Sequence, residues 1–219
     1  MGGVYTNTDK KEITSALTHL GGAVFGLVGI VLFLIGNKIS NAVTAAAFLI
    51  FGISMVLLYS TSTAYHLIDK SKQKSKLIMR KLDHIMIFVF VAGSYTPICL
   101  LVLNNNVGYK LLALVWSITI IGAFIKLFWI TAPNWVSSIL YIGMGWLAVS
   151  VLSPLVNNMP LGGMIWLMIG GLLYTVGGVI YGFKKPNFNN KYFGFHELFH
   201  IFVLGGSFCH YIMMFFYVA

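Results

Sequence analysis

Apolar residues run along this chain in long unbroken stretches, not in alternation. Seven such stretches, about 15–37, 41–67, 82–103, 108–130, 134–156, 161–183 and 196–218, are separated by short polar breaks. Each has roughly 20 residues or more, which at about 1.5 Å per residue covers the ~30 Å hydrocarbon core of a bilayer. Continuous hydrophobicity selects helices over barrel strands, whose residues must alternate between lipid and lumen. The breaks read GNKISN, NNNVG, TAPN, NNMPLGG and KKPNFNNK, rich in the residues that stop helices and build turns. The pattern predicts an all-α integral membrane protein, a seven-transmembrane helix bundle in which residues 1–219 form a single membrane domain.

Composition supports this picture. The chain is 58% hydrophobic and 9% charged, with a mean hydropathy of +0.88, where a soluble domain carries about 25% charged residues. There is too little polar surface to coat a globule, so most of the exterior must face lipid. The formal charge of +9 does not point to nucleic acid, because the basic residues sit in the connecting segments, where they set topology. With the N-terminus inside, twelve of the fourteen Lys and Arg residues fall on the inner side and only Lys38 and Lys110 on the outer. The expectation is an N-terminus in the cytoplasm and a C-terminus outside. Lys126, near the inner end of the fourth span, is expected to snorkel, and DKSKQKSK reads as a solvated cytoplasmic loop. The first apolar run follows the polar stretch EITSALTH and is long enough to span, so it reads as a transmembrane helix and not a cleavable signal.

Smaller features refine the bundle. Gly22 with Gly26, and Gly178 with Gly182, are small-xxx-small pairs that let helices approach closely. Pro97 falls within the third span and is expected to kink it, freeing a carbonyl near Gly93. Cys99 and Cys209 lie in apolar runs and read as free buried thiols.

Ionisable residues inside spans are costly, so each needs a reason. His19, Ser62 and His66, Asp83, and His196 with His200 come from four different spans, yet the topology sets them all at one depth beneath the cytoplasmic surface. Only His210 lies in the outer half, where it is expected to hydrogen-bond between helices. His196 and His200, at i and i+4, share one helix face about 6 Å apart along the axis, which suits two ligands of one metal ion. Ser62 and His66 are spaced alike. A third histidine and a carboxylate from this layer complete a catalytic zinc centre. Three protein ligands leave a fourth position for water, whose pKa falls to about 7 on zinc, with Asp83 placed to hold that water or take its proton. His84, next to Asp83, must point elsewhere, and His19 is open between supporting the site and packing.

The string HELFH (196–200) also matches the H-E-x-x-H signature of zinc proteases. Intramembrane proteases with this string use a later aspartate, typically in L-D-G. Here Asp83 precedes the pair and is followed by His84. No third ligand follows downstream, and Glu197 reads as a residue that caps or snorkels at the start of the seventh span.

Taken together, Ser62-x-x-x-His66, the segment LDH…AGSYTP from Asp83 to Pro97, the seventeen-residue step from His66 to Asp83, and His196-x-x-x-His200 are specific. With them the sequence resembles, over nearly its whole length, the hemolysin III family, bacterial relatives of the progestin and adiponectin receptors. The resemblance implies a seven-helix fold with the N-terminus inside, a Zn2+ ion on His66, His196 and His200, Asp83 holding the zinc-bound water, and Ser62 beside the site. It also implies a bacterial plasma-membrane location and a role in membrane homeostasis, in a wider superfamily that includes ceramidases. The chain departs from the family in carrying Ser15 where an asparagine commonly stands four residues before the first-span histidine.

Three functions compete. The first is a zinc-dependent hydrolase of a lipid amide or ester, with membrane lipids as substrate. The second is a non-enzymatic membrane-stress sensor or receptor-like protein, with lipid as ligand and zinc as a structural staple. The third is a pore-forming cytolysin. A pore needs a continuous polar lining, whereas the polar residues here gather at one depth.

Overall fold

The computed structural model describes residues 7–36, 38–186, 188 and 190–218. Asn37, Asn187 and Asn189, which belong to the predicted breaks, lie outside them. Among the described residues, seven helical segments are long and apolar enough to cross a membrane: Lys10–Ile35, Ala42–Leu67, Gln73–Leu103, Asn106–Phe128, Asn134–Asn158, Leu161–Phe183 and Phe195–Val218. The seven-span reading holds, with most boundaries within a few residues. The first and third helices begin earlier than hydropathy indicates, at Asn7 and Gln73, because their polar opening turns are helical without being apolar.

The breaks end helices by identifiable chemistry. Asn41 caps the second span, its side chain accepting from the backbone N–H of Val43 and Thr44 at 2.9 Å each. Asn105 does the same for the fourth span through Val107 and Gly108. Such caps satisfy amide donors that a helix start leaves free. Pro133 and Pro160 stand immediately before the fifth and sixth spans, where the missing N–H costs nothing.

Spans adjacent in sequence pack side by side, and the first also packs against the seventh. Both glycine pairs lie at contacts. A methyl group on Gly22 would overlap the Tyr59 ring and Leu204, and one on Gly26 would press on Val56. Gly178 and Gly182 receive Ile142 and Ser138 of the fifth span in the same way. At Pro97 the third span changes from α-helix (Gln73–Pro97) to π-helix (Ile98–Leu103). The wider turn ends on the bond from Asn104 N to Cys99 O, 3.1 Å, five residues back. A local widening of this kind accommodates a proline whose ring clashes with the preceding turn.

The fifth span is broken in a way hydropathy does not reveal. It is α-helical over Asn134–Gly145, 3-10 over Trp146–Val151 and α-helical again over Leu152–Asn158. The cause is Tyr95 of the third span. Its hydroxyl donates to the carbonyl of Gly145 at 2.6 Å and accepts from the N–H of Ala148 at 2.8 Å. A side chain inserted into the backbone ladder is a recognised origin of helix distortion. Beside this break lies an elongated cavity of about 180 Å³, walled mainly by the third, fifth, sixth and seventh spans.

Cys99 and Cys209 are free and buried, as expected. Lys126 does not snorkel. It is 1% exposed, its ammonium donates to Ser137 Oγ and lies 5.8 Å from the centre of the Tyr141 ring. A hydroxyl and an aromatic face on the fifth span capture it before it can reach the surface.

Candidate metal centre

The first helix builds one wall of the site. Glu12, Ser15, His19, Gly22 and Gly26 recur at three- and four-residue steps and so share one face. Gly22 and Gly26 bring that face close to the second span, and the three polar residues then meet the histidines of the second and seventh spans.

One ring nitrogen from each of His66, His196 and His200 lies within 4.8 Å of the other two. His66 Nε2 and His196 Nε2 are 3.3 Å apart. That is long for an N–H···N bond but matches the ~3.3 Å edge of a tetrahedron whose centre is 2.0–2.1 Å from each nitrogen, the usual Zn–N distance. The hydrogen bonds on the far sides of the rings select the required tautomers. Glu12 Oε2 accepts from His66 Nδ1 at 2.8 Å, leaving the lone pair of His66 on Nε2. Thr18 Oγ1 already donates to the Ser15 carbonyl at 2.9 Å, so in its 3.3 Å contact with His200 Nδ1 it is the acceptor. His200 Nε2 is therefore the free base. The donor set fits a divalent cation that prefers imidazole.

Charge is arranged to match. Of the five carboxylates in the chain, three surround these rings: Glu12, Asp83 and Glu197. Asp83 hydrogen-bonds Ser62, so the Ser62 hydroxyl donates to its carboxylate. Ser62, Asp83, His196 and His200 all line the same end of the cavity, together with His19. The four-span layer expected from topology is thus assembled in space.

Other residues need correction or completion. Glu197 neither caps nor snorkels: it is 2% exposed, and Ser15 Oγ donates to its Oε1 at 2.8 Å. Its carboxylate turns inward because the first span covers that side of the seventh. Ser15 therefore has a definite partner at the position where the chain departs from the family pattern. His19 lies flat on His200, with ring centroids 3.5 Å apart and planes inclined by 9°, and supports that ring by stacking. His84 turns away from the rings. Its Nδ1 donates to the Arg80 carbonyl at 2.9 Å, and its Nε2 accepts from the Tyr181 hydroxyl at 3.2 Å. His210 meets the sixth span through a polar contact with the Leu167 backbone, but neither of its buried ring nitrogens makes a hydrogen bond of good geometry among the described residues.

Comparison with known proteins places this geometry in a family. The family model described as "Haemolysin-III related" matches residues 7–211. The chain belongs to that family. Relatives include Hemolysin-3 of Bacillus cereus, 36% identical over 210 residues that cover 95% of this chain and 92% of that protein. The Hemolysin-3 homolog of Bacillus subtilis (strain 168) is 36% identical over 211 residues, covering 96% and 95%. The family match runs through every residue of the histidine cluster and the three carboxylates around it.

Sequence reasoning missed Glu12. It precedes the apolar run, so hydropathy assigns it to the interface. The signal that could have found it is its three-residue step to Ser15 and seven-residue step to His19. Its bond to His66 is the kind of outer contact that fixes ring orientation and raises ligand basicity. Glu12→Gln is expected to weaken metal binding about 10–100-fold, read by competition with a chromophoric chelator. An unchanged affinity would mean that the carboxylate does not orient His66.

Proposed function

We propose that this haemolysin-III-related protein is a zinc-dependent hydrolase of a lipid amide or ester. It would sit in a bacterial plasma membrane with the lysine-rich end of the bundle, and hence the histidine cluster, toward the cytoplasm. The observation that carries this reading is the continuity between the cluster and the cavity. One end of the cavity holds His196, His200, Asp83 and Ser62, and the rest is lined largely by Ile, Leu, Val, Met and aromatic side chains. A polar reacting group at the cluster and an acyl chain along the apolar part make a lipid the natural occupant.

His66, His196 and His200 would hold the ion. Bound there, zinc supplies Lewis acidity, which lowers the pKa of water and polarises a carbonyl. The chain's own residues do the rest. Asp83, oriented by Ser62, takes a proton from the attacking water and returns it to the leaving amine or alcohol as the C–N or C–O bond breaks. The cavity walls exclude bulk water and align the acyl chain, so that the carbonyl lies at the histidine end. Glu12 would orient His66, and Thr18 and His19 would hold His200 in register with it.

The name of these relatives suggests lysis of cells. The largely apolar lining of the cavity speaks against a pore as its basis. The test is direct. Zinc-loaded purified protein in lipid nanodiscs should release fatty acid from at least one class among N-acyl sphingoid bases, glycerolipid esters and lysolipids. Stoichiometric zinc without hydrolysis of any of these would favour the sensor reading instead.

A further inference from the structure

The far end of the cavity holds a polar group that the proposed chemistry does not use. His210 lines it, and neither buried ring nitrogen makes a hydrogen bond of good geometry among the described residues, although the ring has a polar contact with the Leu167 backbone of the sixth span. The ring sits where Gly170 leaves it room: a Cβ at that glycine would lie 2.5 Å from His210 Cδ2. The nearby hydroxyls are engaged elsewhere. Tyr174, which meets the His210 ring edge-on at 5.2 Å, bonds Ser207 Oγ at 2.9 Å, and Tyr59 bonds the same oxygen at 2.6 Å. The remaining walls at this end include Leu152, Leu155, Met164 and Leu167. Any apolar side chain would suit such walls. A neutral imidazole there leaves its acceptor nitrogen unmet and its donor poorly bonded, which is costly in a buried setting. A bridging water needs two to four polar partners, and these walls offer few besides the ring itself.

We propose that His210 is a second polar anchor of the cavity and binds a hydroxyl carried on the lipid's hydrocarbon chain. A hydroxyl can use either ring nitrogen, donating to one or accepting from the other. Its position follows from the helix. His200 and His210 are ten residues apart on one continuous α-helix, so they are separated by about 15 Å along its axis. With a headgroup at the histidine cluster, the favoured hydroxyl lies about that distance down the chain. The inference rests on the lipid-cavity reading above and adds to it a selectivity for hydroxylated chains.

The experiment uses full-length protein in nanodiscs and a fluorescent fatty-acid probe. The probe is displaced by saturated fatty acids in which one hydroxyl is walked along the chain. Wild-type protein should prefer the isomer with its hydroxyl about 15 Å from the carboxylate, by about tenfold over the unsubstituted acid, the effect of one buried hydrogen bond. His210→Leu should abolish the preference while binding the unsubstituted acid at least as well. His210→Gln, which keeps a donor and an acceptor, should retain part of it. Equal affinity for all isomers in the wild type, or a preference that survives His210→Leu, overturns the proposal and leaves His210 to water. Failure of every fatty acid to displace the probe overturns the lipid-cavity reading itself, and this inference with it.

Discussion

Purified protein is expected to carry about one zinc ion per chain, and the His196→Ala variant close to none. Three imidazoles each bring one nitrogen within 4.8 Å of the others, and the contacts at Nδ1 of His66 and His200 leave Nε2 of each ring as its base. Removing His196 deletes one corner of the triangle, including the nitrogen 3.3 Å from His66 Nε2. Loss of an orienting contact alone costs about 10–100-fold in affinity, so loss of a direct ligand must cost more. Elemental analysis of wild type, Glu12→Gln and His196→Ala, purified side by side, should therefore fall in that order. His84→Ala serves as the control, since His84 is turned toward Arg80 and Tyr181 and should leave the zinc content unchanged. Equal zinc in all four would remove the metal centre from the account. The same samples report on structure: binding energy at such a site is also folding energy, so His196→Ala should melt below wild type.

Much of this arrangement is legible in the sequence. The number of spans followed from unbroken hydrophobicity. The placing of His66, Asp83, His196 and His200 at one depth followed from counting spans, because a bundle with short connections brings alternate loop ends to the same face. The i, i+4 spacing of two histidines on a helix left little freedom in how they face. These inferences succeed because bilayer thickness and helical rise fix depth to within about a turn.

What sequence did not reveal depends on rotation and on polar contacts that cross between helices. Hydropathy places a residue along the membrane normal but does not say which neighbour it faces. Glu197 seemed to belong at a helix start in contact with water, yet Ser15 holds it inside. Lys126 seemed free to reach the surface, yet Ser137 and Tyr141 capture it. The 3-10 segment of the fifth span depends on a tyrosine hydroxyl from a different helix, and nothing in the local sequence WLAVSV announces it. His210 looked like an interhelical bonding residue because most buried polar groups are bonded. At His210 the bonding is poor, with no hydrogen bond of good geometry among the described residues, and a cavity lies beside the ring. The departures from expectation cluster around the cavity and the histidine layer, where function competes with packing.

Asp83→Asn is expected to separate the two readings that share a zinc site. Asparagine has nearly the shape of aspartate and can still receive the Ser62 hydroxyl through its amide oxygen, so the local packing should survive. The zinc content should also survive, because the three imidazoles are untouched. What is lost is a group able to accept a proton. If Asp83 carries the proton from water to the leaving group, lipid hydrolysis should fall by about 10²–10⁴-fold, the usual contribution of a positioned acid–base group. The fall should appear in kcat more than in KM, since the acyl chain is held by the apolar walls and not by the carboxylate. Ser62→Ala should give a smaller loss of the same kind, because it frees the carboxylate to rotate without removing it. In the sensor reading the carboxylate has no chemical task. Asp83→Asn would then leave zinc, melting temperature and biological effect unchanged, whereas loss of a histidine ligand would unfold the bundle. A variant that keeps zinc and melts like wild type but no longer turns over lipid supports catalysis. One that turns over lipid at the wild-type rate removes Asp83 from the mechanism.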